Sequence, residues 1–301
     1  MRVHGILNSK AGSLIGTSPE AFGQKLTDAF TAAGHEVTVE TVEPKQINDR
    51  LQHAVKNGYD ALLIGGGDGS VNAAASMLLG TETALGILPL GTLNRLAREL
   101  KLSTNLDEVA TQLATAEPVQ IDVAEVNGNI FLCNSFIGLP PMITERRQDL
   151  RGRGLFERLI GYVKLPFEIS RNMRRLVLLL DDQDTPRLVR ALTVVVSNNA
   201  YSEEPNLLPK RRALDEGRLG LYISRHYTVV QTMWLLMRAS LGLWRNDPKF
   251  ETQELRKVTI ASSKKHLRVA NDGELLRLET PLRYSIRPKA LTVLLPLKGA
   301  A

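Results

Sequence analysis

Short apolar runs alternate with longer amphipathic stretches through the first third of the chain. Residues 3–7 form an apolar run that closes on Asn8-Ser9-Lys10, as a buried strand does when it opens into a polar loop. Ser18-Pro19-Glu20 supplies an N-cap, a proline at the first helical position and an acidic first turn, which predicts a helix over 21–33 ending at Gly34. Glu36–Val42 alternates as a strand and is stopped by Pro44. Residues 45–57 then set Ile47, Leu51, Ala54 and Val55 on one face of a helix that Gly58 closes. Residues 61–64 are apolar without alternation, the pattern of a strand covered on both faces, and run into Gly65-Gly66-Gly67-Asp68-Gly69-Ser70. A helix over 71–79, a strand over 85–88 and a helix over 95–100 follow. This alternation, up to about residue 113, predicts an α/β domain with a doubly wound, mostly parallel sheet. Its ligands would sit at the carboxyl ends of the strands, where the loops after Leu7, Ile64 and Leu88 converge.

Beyond Val119 the pattern turns to strands. Residues 121–126 and 130–133 flank Asn127-Gly128, a strong signal for a tight hairpin. Further strands are predicted over 176–180, 191–196, 218–223, 257–261, 267–270 and 291–297, with helices over 156–171 and 229–244.

Composition narrows the class. With 301 residues, 43% of them apolar and 23% charged, the chain has the length of two domains and the balance of a folded protein, which excludes disorder. The single cysteine, Cys133, excludes an internal disulfide and reads as a small buried hydrophobe. The apolar start is too short for a signal peptide, which predicts a cytoplasmic location. No run reaches the roughly 18 apolar residues of a spanning helix. The net charge is +6, and much of the basicity gathers in segment 146–175, which reads as a solvated face or as a surface for anionic lipid. No nucleic-acid reading module accompanies it. A homodimer is allowed but no motif encodes one.

Four loops could carry chemistry. Three consecutive glycines at 65–67 let backbone N–H groups approach a ligand, and the next helix adds its positive end, so phosphate is the natural guest. The loop is not a Walker P-loop, since no Lys-Ser or Lys-Thr follows, nor the dinucleotide fingerprint, whose last glycine falls on Asn72. Asp68, Ser70 and Asn72 offer a carboxylate for Mg²⁺-bound water and hydroxyl and amide groups for phosphate. In Pro89-Leu90-Gly91-Thr92-Leu93-Asn94, Gly91 permits close approach, Thr92 can cap or donate and Asn94 can bridge, so the loop binds ligand or merely enters a helix. Asn271-Asp272-Gly273-Glu274 is an ordinary turn or the source of the base that phosphoryl transfer to a hydroxyl needs. Asp215-Glu216-Gly217 is a cation site or a polar turn.

In order and approximate spacing these pieces resemble the diacylglycerol kinase catalytic superfamily, specifically its bacterial soluble lipid kinases, over nearly the whole chain. Asn8-Ser9-Lys10-Ala11-Gly12 resembles the first strand loop, with Ser9 for the usual proline, and Gly66-Gly67-Asp68-Gly69-Ser70-Val71-Asn72 resembles the signature loop, with Ser70 for threonine. Leu88-Pro89-Leu90-Gly91-Thr92-Leu93-Asn94 matches the second signature, and the Asp272 turn the late acidic turn that bears the catalytic carboxylate. The resemblance implies a nucleotide-binding domain over 1–122, rejoined by 290–301, a β-sandwich-like lipid-substrate domain over 123–289, and a cleft between them. There ATP, with Mg²⁺, would phosphorylate the hydroxyl of a diacylglycerol-like lipid, and segment 146–175 would rest on the membrane. Asn8, Thr41, Gly66, Gly67, Asp68, Gly69, Ser70, Asn72, Gly91, Thr92 and Asn94 would hold the nucleotide, and Asp272 or Glu274 would be the base. A cation would use Asp215 and Glu216 with the carbonyls of Ala213 and Arg218, and Asp68 would serve Mg²⁺. Two departures stand out: Arg95 replaces an aspartate of the family's metal network, and residues 199–205 lack a glycine cluster. The alternatives are an NAD kinase-like enzyme with a soluble acceptor and a nucleotide-binding module without turnover.

Overall fold

The computed structural model describes residues 1–11, 18–141, 144, 176–181, 186–202, 204, 210–226, 228–241, 243–244 and 247–296. The basic segment 146–175 and the helix expected over 156–171 lie outside the described residues. The chain divides into two compact units, Met1–Val123 with Pro288–Ala301, and Ala124–Arg287.

In the first unit, β1 (Arg2–Asn8), β2 (Glu36–Val42), β3 (Ala61–Gly66) and β4 (Ala84–Pro89) pair in the order β2-β1-β3-β4, all parallel. The far end of β16 (Leu282–Leu295) joins this sheet in parallel beside β4, with Val293 opposite Leu85. Every position of β3 and β4 is buried, which is why neither alternates. The order reverses between β1 and β3, so the loops after these two strands flank the switch point of an open α/β sheet. Helices α1 (Pro19–Ala32) and α5 (Leu106–Ala114) pack together, as do α2 (Ile47–Lys56) and α3 (Asp68–Leu78). The right-handed crossover rule puts α1, which carries the chain from β1 to β2, on one face, and α2 and α3, which carry it the other way across the sheet, on the opposite face.

Local chemistry sets the boundaries. Ser18 Oγ accepts the Ala21 N–H at the head of α1, behind Pro19. A 3₁₀ turn over Pro44–Gln46 replaces the start of the helix expected over 45–57, because Gln46 and Glu43 close a capping box on each other. The glycine run is also shorter as a loop than expected. Gly65 and Gly66 still pair with Leu88 and Pro89, so β3 absorbs them and Gly67 alone caps α3.

The second unit is β-rich and sandwich-like. A six-stranded antiparallel sheet runs β12 (Phe250–Leu255), β11 (Leu219–Ser224), β10 (Thr193–Asn198), β7 (Asn134–Gly138), β14 (His266–Asn271), β15 (Glu274–Glu279). Against it lie the near end of β16, β13 (Lys257–Ser262), β8 (Leu176–Asp181) and β9 (Arg187–Ala191), also antiparallel. Between them Val194, Val196, Leu221 and Val269 meet Leu178, Leu180, Ile260 and Tyr284 in one buried core. The hairpin of β5 (Glu117–Val126) and β6 (Asn129–Phe131) turns at Asn127-Gly128, both with positive φ, as the Asn-Gly pair predicts.

Candidate functional site

Two glycine loops meet at the carboxyl end of the parallel sheet. A Cβ on Gly91 would fall on the Gly67 Cα, closer than any real Cβ approaches a backbone atom, and 2.8 Å from Asn94 Oδ1. A Cβ on Gly66 would lie 2.6 Å from Ser70 Oγ. Both loops therefore need glycine where their backbones touch. Gly67 caps α3 without a side chain, so no side chain covers the first-turn N–H groups of this 11-residue helix. That leaves a concentrated set of donors with the positive end of a helix behind them.

The second loop is held by Asn94. Its side-chain amide donates to Pro89 O at 2.9 Å and to Gly91 O at 2.8 Å, while its Oδ1 accepts the Gly91 N–H at 2.9 Å. Asn94 is buried with φ 48°, a left-handed conformation that asparagine tolerates. The amide expected to bridge to ligand thus shapes its own loop. Thr92, by contrast, is exposed beside it.

Asp68 ties the loops together. Its Oδ1 accepts the Arg95 N–H at 2.8 Å, joining the head of α3 to the head of α4 (Arg95–Glu99). Burial pushes its carboxyl above the usual 3.8, and the Arg95 N–H with the guanidinium charges of Arg95 and Arg98 pulls partly back. One turn along α3, the Oδ1 of Asn72 is buried without a hydrogen-bond partner, an acceptor turned away from water with nothing to satisfy it. Asn8 shapes the first loop: its Oδ1 accepts the Lys10 N–H at 3.0 Å, and its Cβ lies 3.9 Å from a Cβ placed on Gly66. Thr41 sits opposite Leu7 on edge strand β2, half-buried. Gly69 is exposed and Ser70 half-buried in the first turn of α3.

In the second unit, Asp272 and Gly273 form the two-residue turn between β14 and β15, with φ 48° and 92°, the paired positive angles of a type I′ hairpin. The Asp272 carboxylate reaches back to three consecutive backbone N–H groups: Leu132 at 2.6 Å, Cys133 at 2.9 Å and Asn134 at 2.8 Å. Those donors occupy three of roughly four lone-pair sites. Its own N–H donates to Asn134 O at 2.8 Å. Glu274 is exposed across the turn.

Sequence reasoning missed the neighbours of this turn. Arg211 is buried and donates to Leu132 O at 2.8 Å and Asn198 O at 2.9 Å, holding from behind the strand end that Asp272 holds from the front. Its setting in Lys210-Arg211-Arg212 reads as solvated surface, so no pattern marks it. Asn271 is buried with both amide atoms lacking hydrogen-bond partners, and only its place beside Asp272 draws attention to it.

The acidic turn at Asp215 carries a different arrangement from a cation cage. Glu216 accepts a bidentate pair from Arg212, at 2.5 and 2.9 Å, and Arg212 also reaches Glu254. Asp215 is exposed, Ala213 half-buried and Arg218 exposed, its N–H donating to Asn199 Oδ1 at 3.4 Å. Arg212 takes one lone pair on each Glu216 oxygen, so a cation at this turn would share the carboxylate with that guanidinium. Among the described residues no cluster of three His, Cys, Asp or Glu side chains could hold a metal. Asp68 fits Mg²⁺ better, because Mg²⁺ held by nucleotide phosphates and water needs only one or two carboxylates.

Comparison with known proteins follows the same division. The family model for the diacylglycerol kinase catalytic domain matches residues 2–126, and that for the YegS C-terminal NAD kinase beta sandwich-like domain matches residues 170–295. A diacylglycerol kinase of Mycobacterium tuberculosis is 28% identical over 255 residues, covering 83% of this chain and 81% of the relative. One from Staphylococcus saprophyticus is 22% identical over 252 residues, covering 81% of each. The crystal structure of a diacylglycerol kinase from Bacillus anthracis str. Sterne superposes with a TM-score of 0.71 at 19% identity, covering 100% of this chain and 98% of the other. With the two models matched in order and relatives aligned along most of its length, the chain joins a diacylglycerol kinase catalytic domain to a YegS C-terminal NAD kinase beta sandwich-like domain.

Proposed function

We propose that the protein transfers the γ-phosphoryl group of ATP to the hydroxyl of a diacylglycerol-like lipid. The observation that carries the reading is the contact of Gly67 with Gly91 over the uncapped head of α3. It makes a backbone cradle suited to a triphosphate and leaves no room for a side chain. The Asn72 Oδ1 supplies an acceptor that a nucleotide hydroxyl or Mg²⁺-bound water would satisfy. Asp68 would hold Mg²⁺, whose part is to neutralise phosphate charge. Arg95 and Arg98 set further positive charge beside Asp68, where the family's usual carboxylate is absent.

In the reaction the acceptor oxygen bonds to the γ-phosphorus, the bond from that phosphorus to the β–γ bridging oxygen breaks, and ADP leaves with the electron pair. The hydroxyl proton passes to a carboxylate of the 272–274 turn. Asp272 is the first candidate, fixed in place by its three N–H donors, and Glu274 the second. A second reading, nucleotide binding without turnover, draws on how fully those donors occupy Asp272. Mass spectrometry of lipids from cells overproducing the protein decides between them. The kinase reading requires a rise in one phosphorylated lipid class, and an unchanged lipid profile would sink it.

A further inference from the structure

Helix α6 (Val229–Ser240) has two faces, and the structure explains only one. Inward, Leu235 is buried with Tyr222 and Trp244, and Val195, Tyr201 and Phe250 pack around them. Trp244 stands edge-on to Tyr222 and to Phe250, with ring centroids 5.7 and 5.6 Å away. Outward, Val230 is 77% exposed, Trp234 53%, Met237 45% and Leu241 55%. Their spacings of four, three and four residues put them on one stripe about 17 Å long. Leu243, just past the helix, is exposed as well. Isolated exposed apolar residues are ordinary on a protein surface, but a continuous stripe of large ones marks a contact.

Charge identifies the occupant. From residue 226 to 246 the sequence has no Asp or Glu, and its formally charged side chains are Arg238 and Arg245. Arg238 donates to Leu243 O at 3.4 Å and lies 4.0 Å from Asp247, so it bounds the stripe from the polar side. A second copy of a chain carrying +6 would meet this surface with like charge. Anionic lipid would meet the chain's net +6 with opposite charge. An exposed tryptophan suits the boundary between head groups and acyl chains, where its ring is apolar and its N–H stays wet. No helix among the described residues is long and apolar enough to cross a membrane, so the stripe would lie in the interface plane.

We infer that the Val230-Trp234-Met237 face of α6, with Leu241 just past its end, inserts into the surface of an anionic bilayer. The inference rests on the lipid-kinase reading for its purpose, since an acceptor held in a bilayer must be reached there. Its test is separate from turnover. In the full-length chain, Trp244→Phe leaves Trp234 as the only tryptophan, and vesicles of phosphatidylglycerol and phosphatidylcholine carrying brominated acyl chains are added without ATP. Trp234 emission should shift to the blue and be quenched. Trp234→Gln with Met237→Gln should lower partition onto the same vesicles about tenfold or more, while ATP binding stays at the parent level. Unchanged Trp234 emission on vesicles, equal sedimentation of the double variant, or a dimer in light scattering that the double variant abolishes would each overturn it. Vesicle binding through Trp234, with no lipid phosphorylated once ATP, Mg²⁺ and diacylglycerol are added to the vesicles, would instead remove the kinase reading and leave this surface standing.

Discussion

Asp68 shows how one side chain is asked to do two jobs. It closes the gap between α3 and α4 through the Arg95 N–H, and it would face Mg²⁺ and phosphate. Because its carboxyl is held above 3.8 chiefly by burial, the folded state binds that proton more tightly than the unfolded state. Its contribution to stability is therefore full below 3.8 and is lost as pH rises through the folded value. Asp68→Asn should remove this pH dependence in urea titrations, keep the Arg95 contact through its carbonyl, and weaken ATP by about tenfold or more. Gly91 makes a sharper demand. Gly91→Ala drives a methyl into the Gly67 backbone, so the loops must part, and calorimetry should show ATP affinity lowered at least about tenfold with a stability loss of about 1–3 kcal/mol. Asp272→Asn has a structural cost apart from any chemistry. Its carbonyl can keep the Cys133 and Asn134 N–H groups, but its amide then faces the Leu132 N–H, donor against donor. About 1–3 kcal/mol of stability should be lost in denaturant titration. Glu274→Gln, at an exposed position, should cost almost none, which makes the pair a control for reading activity losses.

At the scale of elements, what the sequence makes legible follows burial. β3 and β4 announce themselves because each is apolar at every position and bounded by glycine or proline. α1 does so through Ser18, Pro19 and Gly34. β12 and β15 escape notice because Phe250–Leu255 and Glu274–Glu279 are edge strands with few buried positions, so the sheet neighbour rather than the local pattern makes them strands. β7 escapes because its short polar start, Asn134-Ser135, reads as loop, although β10 pairs with it throughout and β14 pairs with Ser135, Phe136 and Ile137. β16 is twice the length expected and begins nine residues earlier, so only its last five residues, 291–295, fall in the run expected over 291–297. The same logic holds in the site. Gly67, Gly91 and Asp272 are visible as turn residues, whereas Asn94 as a loop brace and Arg211 as a buried anchor depend on which carbonyls the fold brings within reach.

At the scale of the whole molecule, two units divide the chemistry. The first carries the paired glycine loops at the switch point of a parallel sheet, and the second carries the Asp272 turn on a sandwich whose core runs from Ala124 to Tyr284. The family relationship sets the reaction class, and the residues give it particular form: Arg95 for a carboxylate, Arg212 on Glu216, and three N–H groups on Asp272. The most direct measurement is transfer of radiolabel from the γ-position of ATP to extracted lipids by the full-length chain, with parallel arms for NAD and for Asp272→Asn under conditions where that variant is shown to be folded. The account predicts one labelled lipid class with the parent chain, little or none with Asp272→Asn, and no labelled NADP. Labelled NADP, or no lipid labelled above the variant, would contradict it.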